Sequence, residues 1–95
     1  MKKINFKKQL TIFGKPAADE QGPIMIHESL ANCLIQGQSG NPMKMDSICT
    51  RIYEKGEVEL DQQDLDFLKS AIRSNRIGND LILSAALSEI ENQTK

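Results

Sequence analysis

The stretch that decides the fold is Lys55-Gly56-Glu57-Val58-Glu59-Leu60-Asp61-Gln62-Gln63-Asp64-Leu65, residues 55–65. It packs a helix stop, a short strand and a helix start into eleven residues. A cation followed by glycine is the usual end of a helix, because glycine accepts the left-handed conformation that closes the last turn. Val58 and Leu60 alternate with Glu57 and Glu59, the period of a half-buried strand. Asp61 is an N-cap, and Asp64 adds negative charge at the positive end of the next helix.

Upstream, Asn41-Pro42 marks the start of the helix that ends at Lys55. Asn caps it and Pro takes the first position, where no N–H is needed. Met45, Ile48, Cys49, Ile52 and Tyr53 form its apolar stripe. Before it, an extended Ile24-Met25-Ile26 leads into a helix over His27–Gln36, with Ile26, Leu30, Cys33 and Leu34 on one face and Gly37 at the end. Gln38-Ser39-Gly40 reads as loop. Downstream of Asp61, Leu65, Leu68 and Ile72 face the core, flanked by Phe67 and Ala71. Gly78 breaks the chain after Ser74-Asn75-Arg76. A fourth helix starts near Asn79 or Asp80 and runs to about Asn92, carrying Leu83, Ala86, Leu87 and Ile90. Residues 93–95 read as a disordered tail.

At the N-terminus, Ile4, Phe6, Leu10 and Ile12 alternate with Lys3, Asn5, Lys7, Gln9 and Thr11, which predicts one strand or arm over residues 3–13, interrupted only by Lys8. Residues 14–23 carry turn signals at Gly14-Lys15-Pro16 and Gly22-Pro23. The chain of 95 residues is thus a single domain over 1–95, with a helical core at 24–92. The fold class is α+β, mainly α. About four helices pack around Ile26, Leu30, Leu34, Met45, Ile48, Cys49, Ile52, Leu65, Leu68, Ile72, Leu83 and Leu87. Residues 24–26 and 57–60 make a minimal two-stranded sheet, three-stranded if the N-terminal strand joins.

Composition excludes several function classes. Twelve Lys and Arg against thirteen Asp and Glu give a net charge of −1, unlike a dedicated nucleic-acid binder. No run of about 18 apolar residues predicts a membrane span, and Met1–Lys8 has no apolar segment behind its lysines, so it does not read as a signal peptide. The expected compartment is the cytoplasm. Cys33 and Cys49 lack the partners a zinc site needs, and both fall on apolar faces, so they read as buried thiols. His27 lies six residues before Cys33, off its helical face. A Cys–His pair across elements would lack an orienting third residue, so no catalytic site is expected and the protein reads as not an enzyme. No cofactor or metal site is expected either.

The unit around Gly56 resembles the core of a calcium-binding EF-hand. There a glycine makes the turn and a β-branched residue two positions on pairs with a sister loop, and Gly56 and Val58 match these two positions. The chelating positions fall on Arg51, Tyr53, Lys55 and Gln62, which oppose a Ca²⁺ site of six to eight oxygens. Gly22, Ile24 and Glu28 repeat the spacing, with Asp19 and Gln21 at two chelating positions but Ala17 at the first and no helix before it. The purely structural reading is that Ile24 and Val58 mark two short strands that pair between helices.

A second resemblance spans roughly residues 4–91. Gly14-Lys15-Pro16, Lys55-Gly56, Val58-Glu59-Leu60-Asp61, Asp64-Leu65 and Leu68-Lys69-Ser70-Ala71-Ile72 resemble small uncharacterised proteins of tailed phages and prophages. The resemblance brings no catalytic residue. It implies an accessory or assembly protein of a bacterial host cytoplasm, acting through protein–protein contacts.

Charge is distributed unevenly. Residues 1–16 carry five lysines and no acid, whereas residues 54–66 carry six acids and one lysine. The two could meet within the chain, between chains, or stay solvated. The alternative function is a small nucleic-acid-binding regulator, with the last two helices joined across Asn75–Gly78 as a helix-turn-helix. The fourth helix opposes it, offering Asp80, Ser84, Ser88, Glu89, Glu91 and Asn92 with no cation before Lys95. Phe6, Phe13, Phe67 and Tyr53 are placed mostly in the core, so no stacking platform for single strands is expected.

The N-terminal strand suggests the partner. Fully extended, residues 3–13 span about 35 Å, beyond the reach of the short internal strands. Its unpaired edge, with Ile4, Phe6, Lys7, Leu10 and Ile12 as the candidate interaction surface, calls for a second copy and hence a homo-oligomer. The ligand argument at Gly56 yields a first test: millimolar Ca²⁺ should leave the melting temperature unchanged, and a clear rise would overturn it.

Overall fold

Residues 2–37 and 40–94 are described by a computed structural model of the chain. Its helices begin where local capping chemistry starts them. Helix α1 spans Ile26–Gln36 and helix α2 spans Pro42–Lys55. The Asn41 side chain accepts a hydrogen bond from the Lys44 N–H at 3.2 Å, and Pro42 stands in the first turn. Gly56 ends α2 in the left-handed region, at φ 75°, and its N–H donates to Ile52 O. Helix α3, Gln62–Ser74, is capped by Asp61, which accepts from the Asp64 N–H at 2.8 Å. Helix α4, Asp80–Thr94, starts at Asn79, whose side chain accepts from the Ile82 N–H.

Strand β1, Lys2–Asn5, pairs antiparallel with β6, Glu57–Leu60, so that Ile4 faces Val58. Between them in sequence lie two small hairpins, β2 (Thr11–Ile12) with β3 (Lys15–Pro16), and β4 (Ala18–Asp19) with β5 (Gly22–Pro23). A cycle of three backbone hydrogen bonds ties these segments together. Leu10 N–H donates to Ile24 O, Ile24 N–H to Ala17 O, and Ala17 N–H to Leu10 O. The mainly-α α+β class is therefore seen, with four helices and three two-stranded antiparallel sheets among the described residues.

The sheet differs from the sequence expectation. Val58 pairs with Ile4, not with Ile24, and Ile24–Ile26 is not a strand; Met25 makes one isolated bridge, to Gln9. Residues 3–13 are not one strand. The chain leaves β1 after Phe6, whose N–H donates to Gly56 O at 2.6 Å, and turns at Lys7-Lys8, where Lys8 O accepts from Ile26 N–H. The turn has a physical reason: continuing straight would carry Leu10 and Ile12 past the end of β6, away from the helices that bury them.

The core holds the expected residues of α1, α2 and α3. It adds Ile4, Phe6, Leu10, Ala17, Val58 and Leu60 from the extended segments. In α4 the buried face is Ile82, Ala86 and Ile90, whereas Leu83 and Leu87 lie half-buried at its margin. Gln93 and Thr94, expected in a disordered tail, complete α4, and the Gln93 amide binds Asn5 on both sides, accepting from its N–H at 2.7 Å and donating to its carbonyl at 2.9 Å. Gln38 and Ser39 of the expected loop, and Lys95 of the expected tail, lie outside the described residues.

Gly56 carries two constraints, and they can be separated. A Cβ there would meet Lys7 Cβ at 2.5 Å, and its φ of 75° is disfavoured for other residues. Gly40 has a similar φ of 82° with nothing within 4 Å of the added Cβ. Gly40→Ala should cost about 1 kcal/mol in urea denaturation, and Gly56→Ala about 2–4 kcal/mol. Equal losses would show that the approach of Lys7 contributes nothing.

Candidate docking surface

The five residues of the sequence-derived interaction surface do not form a surface. Ile4, Phe6 and Leu10 are in the chain's own core, with no more than 4% exposure. Lys7 is exposed and lays its side-chain stem over Gly56. Ile12 is half-buried. The edge that called for a second strand is occupied at Asn5 by Gln93, whose amide stands in for a neighbouring backbone. Gln93 also donates to Glu89, which pairs with Lys8 at 2.7 Å. The basic N-terminal segment meets the acidic turn within the chain, through Lys3–Glu57 at 3.3 Å.

The candidate site lies one residue further on. Phe13 and Gly14 form the two-residue turn between β2 and β3, with φ values of 52° and 80°. Positive φ at both central positions is the requirement of a type I′ hairpin, which normally takes Asn-Gly. An aromatic residue there is strained, and Phe13 is 99% exposed. Phe13, expected with the core aromatics, stands at the tip of a projecting hairpin. Its parity carried the signal, since it shares the odd, polar side of the alternation with Lys3, Asn5, Lys7 and Thr11. Tyr53, also placed in the core, is half exposed.

Beside this hairpin is a groove of about 380 Å³ between the N-terminal segment, α1 and the α3–α4 loop. Leu10, Ile12 and Ile24 line it from the N-terminal segment and Cys33 from α1, while the exposed Ile77 and Leu81 form the rim. No charged side chain lines it among the described residues. Ile77 and Leu81 are 55% and 45% exposed. The rim is held by Asn75. Its Oδ1 accepts from the Ile77 and Gly78 N–H groups at 3.0 and 2.8 Å, while its Nδ2 donates to Cys33 O at 2.9 Å. Gly78 sits against Cys33 so closely that a Cβ would meet Sγ at 2.7 Å.

Two other depressions have different chemistry. A cleft of about 290 Å³ between α1 and α2 is bordered by Asp46 and Glu54. A cleft of about 650 Å³ with a mixed lining runs along α4, where Ile26, Leu81 and Ala85 alternate with Ser84, Ser88, Asp80 and the Lys8–Glu89 pair.

Neither cysteine is a disulfide partner among the described residues. Burial pushes the Cys33 thiol up, and burial with the nearby Asp46 charge raises Cys49 to about 11, which suppresses thiolate chemistry at neutral pH. Cys49 is buried as expected, while Cys33 is half-buried. His27 is 6% exposed, with Nε2 3.9 Å from Glu28 and no hydrogen-bond partner for Nδ1 among the described residues. No group of three or more His, Cys, Asp or Glu capable of holding a metal occurs among the described residues, and no helix there is long and apolar enough to cross a membrane.

The hairpin geometry makes its own prediction. Phe13→Asn should raise stability by about 0.5–1.5 kcal/mol in urea denaturation, because Asn tolerates the left-handed conformation and no buried contact is lost. A loss of stability would mean that the ring packs against the protein.

No family model, curated protein or solved structure matches the chain.

Proposed function

We propose that this chain is a non-enzymatic accessory or assembly protein that works by docking to other protein through the Phe13 hairpin and the apolar groove beside it. The observation that carries the reading is Phe13 itself: an aromatic ring fully in water, on a backbone conformation that favours another residue. Stability alone would not select it, whereas binding commonly retains such costs. An aromatic anchor at a protruding tip is the residue type that dominates protein–protein contacts.

The motif likeness to phage and prophage proteins supports the same kind of role, in a bacterial cytoplasm. Its Gly14-Lys15-Pro16 element forms the second half of the Phe13 turn and all of β3. The nucleic-acid reading gains no support from the charges. The outward side of α4 carries Asp80, Leu81, Ser84, Ser88 and Glu91, with no cation.

A photoreactive phenylalanine analogue at position 13 tests this in cells that make the protein. A discrete protein adduct is expected there, lost when Leu81→Ser is added and absent from the same probe at Glu20, the exposed tip of the other hairpin. A nucleic-acid adduct would favour the regulator instead, and no adduct at all would overturn the docking role.

A further inference from the structure

We infer that the groove beside Phe13 is filled by Phe13 of a second copy of this chain, in a reciprocal two-fold dimer; this rests on the docking role above and names its partner. The knob and the hole are neighbours. Ile12 lines the groove and Phe13 follows it directly at the turn, and Phe13, at 99% exposure, leaves its own molecule's groove unfilled. Because Phe13 stands at the tip of the turn and not along the strand, two copies facing each other about a two-fold axis bring each ring to the groove of the other. Such an isologous contact closes on itself and leaves neither ring exposed.

The chemistry of the groove suits this occupant. Its lining is apolar with a few neutral polar groups, so it offers nothing to a charged peptide or a phosphate and accepts a neutral aromatic ring. The groove between α1 and α2 is the poorer receptor, because Asp46 and Glu54 border it and would be desolvated by a phenyl group.

Area selects reciprocal exchange over a one-way contact. A buried phenylalanine ring removes about 200 Å² from water, and the surface that receives it removes a similar amount. One insertion therefore hides about 400–500 Å², the scale of a crystal contact. Two insertions double this to about 800–1,000 Å², the lower edge of a specific but weak interface. The rim residues Ile77 and Leu81 are each about half exposed and would be covered in the same step. The dimer is accordingly a reversible one, with a dissociation constant on the order of 10–100 µM.

Sedimentation equilibrium from about 1 to 500 µM tests it, on the full chain. A monomer–dimer equilibrium is expected. Phe13→Asn should weaken it at least tenfold while keeping or raising the melting temperature, and Ile77→Ser should weaken it from the groove side. Geometry is tested separately by mixing Phe13→Cys and Ile77→Cys chains under oxidised glutathione, both carrying Cys33→Ser and Cys49→Ala so that the native thiol in the groove cannot react. A disulfide between the two chains is expected, in excess over either chain paired with itself. A chain monomeric at 500 µM, a dimer unaffected by Phe13→Asn, or cysteine chains that pair only with themselves would each overturn the reciprocal dimer. A monomeric chain that still gives a heterologous adduct at position 13 ends the second-copy assignment and leaves the docking role standing, whereas no adduct ends both.

Discussion

The pairing of β1 with β6 is the constraint on which the other contacts depend. It joins the first residues of the chain to the middle and seats Ile4 and Phe6, both fully buried, against Val58 and Leu60. A two-stranded sheet of four residues per strand is marginal by itself. Here one face is covered by helices, and the outer edge of β1 is closed at Asn5 by Gln93 of α4. One short strand thus holds both the α2–β6–α3 unit and the last helix. Gly56 permits it: only a residue without a Cβ lets Lys7 cross at that distance while ending α2 in the left-handed conformation.

Helix boundaries were legible because capping is local. Asn41-Pro42, Lys55-Gly56 and Asp61 each state their role within four residues, and the structure uses all three. The partner of β6 was not legible, since Ile4 and Ile24 are equally suitable β-branched candidates and the choice is made by packing across more than fifty residues. The alternation over 3–13 was real for burial but not for pairing. Ile4, Phe6 and Leu10 do share the core, yet the backbone reaches it by turning at Lys7-Lys8 and not by running straight. In α4 apolar residues occupy much of the circumference, from Leu81 to Leu83 and from Ala85 to Leu87, so periodicity alone could not select Ile82, Ala86 and Ile90.

The candidate surface was less legible than the fold for a related reason. Unpaired backbone at the outer edge of β1 is a liability that the chain resolves internally with one glutamine amide. Of the five residues singled out from sequence as a surface, Leu10 and Ile12 line the groove, and Leu10 does so from within the core. Phe13 escaped because Phe-Gly is a poor turn signal, and a residue that breaks the local rule at a turn is hidden from any reading that relies on the rule.

That violation also explains how the surface can act without moving. The hairpin is fixed from below by the cycle of hydrogen bonds among Leu10, Ala17 and Ile24, so the Phe13 ring is displayed from a tethered base. On the opposite rim, Asn75 holds the backbone of Ile77 and Gly78 with one carboxamide and anchors that loop to α1 through Cys33 O. Both apolar features therefore sit on backbone already ordered in the free chain. Association then loses little additional conformational freedom, which is what allows an interface of modest area to form at all. The left-handed conformation at Phe13 is already present in the free chain, so covering the ring adds no backbone strain.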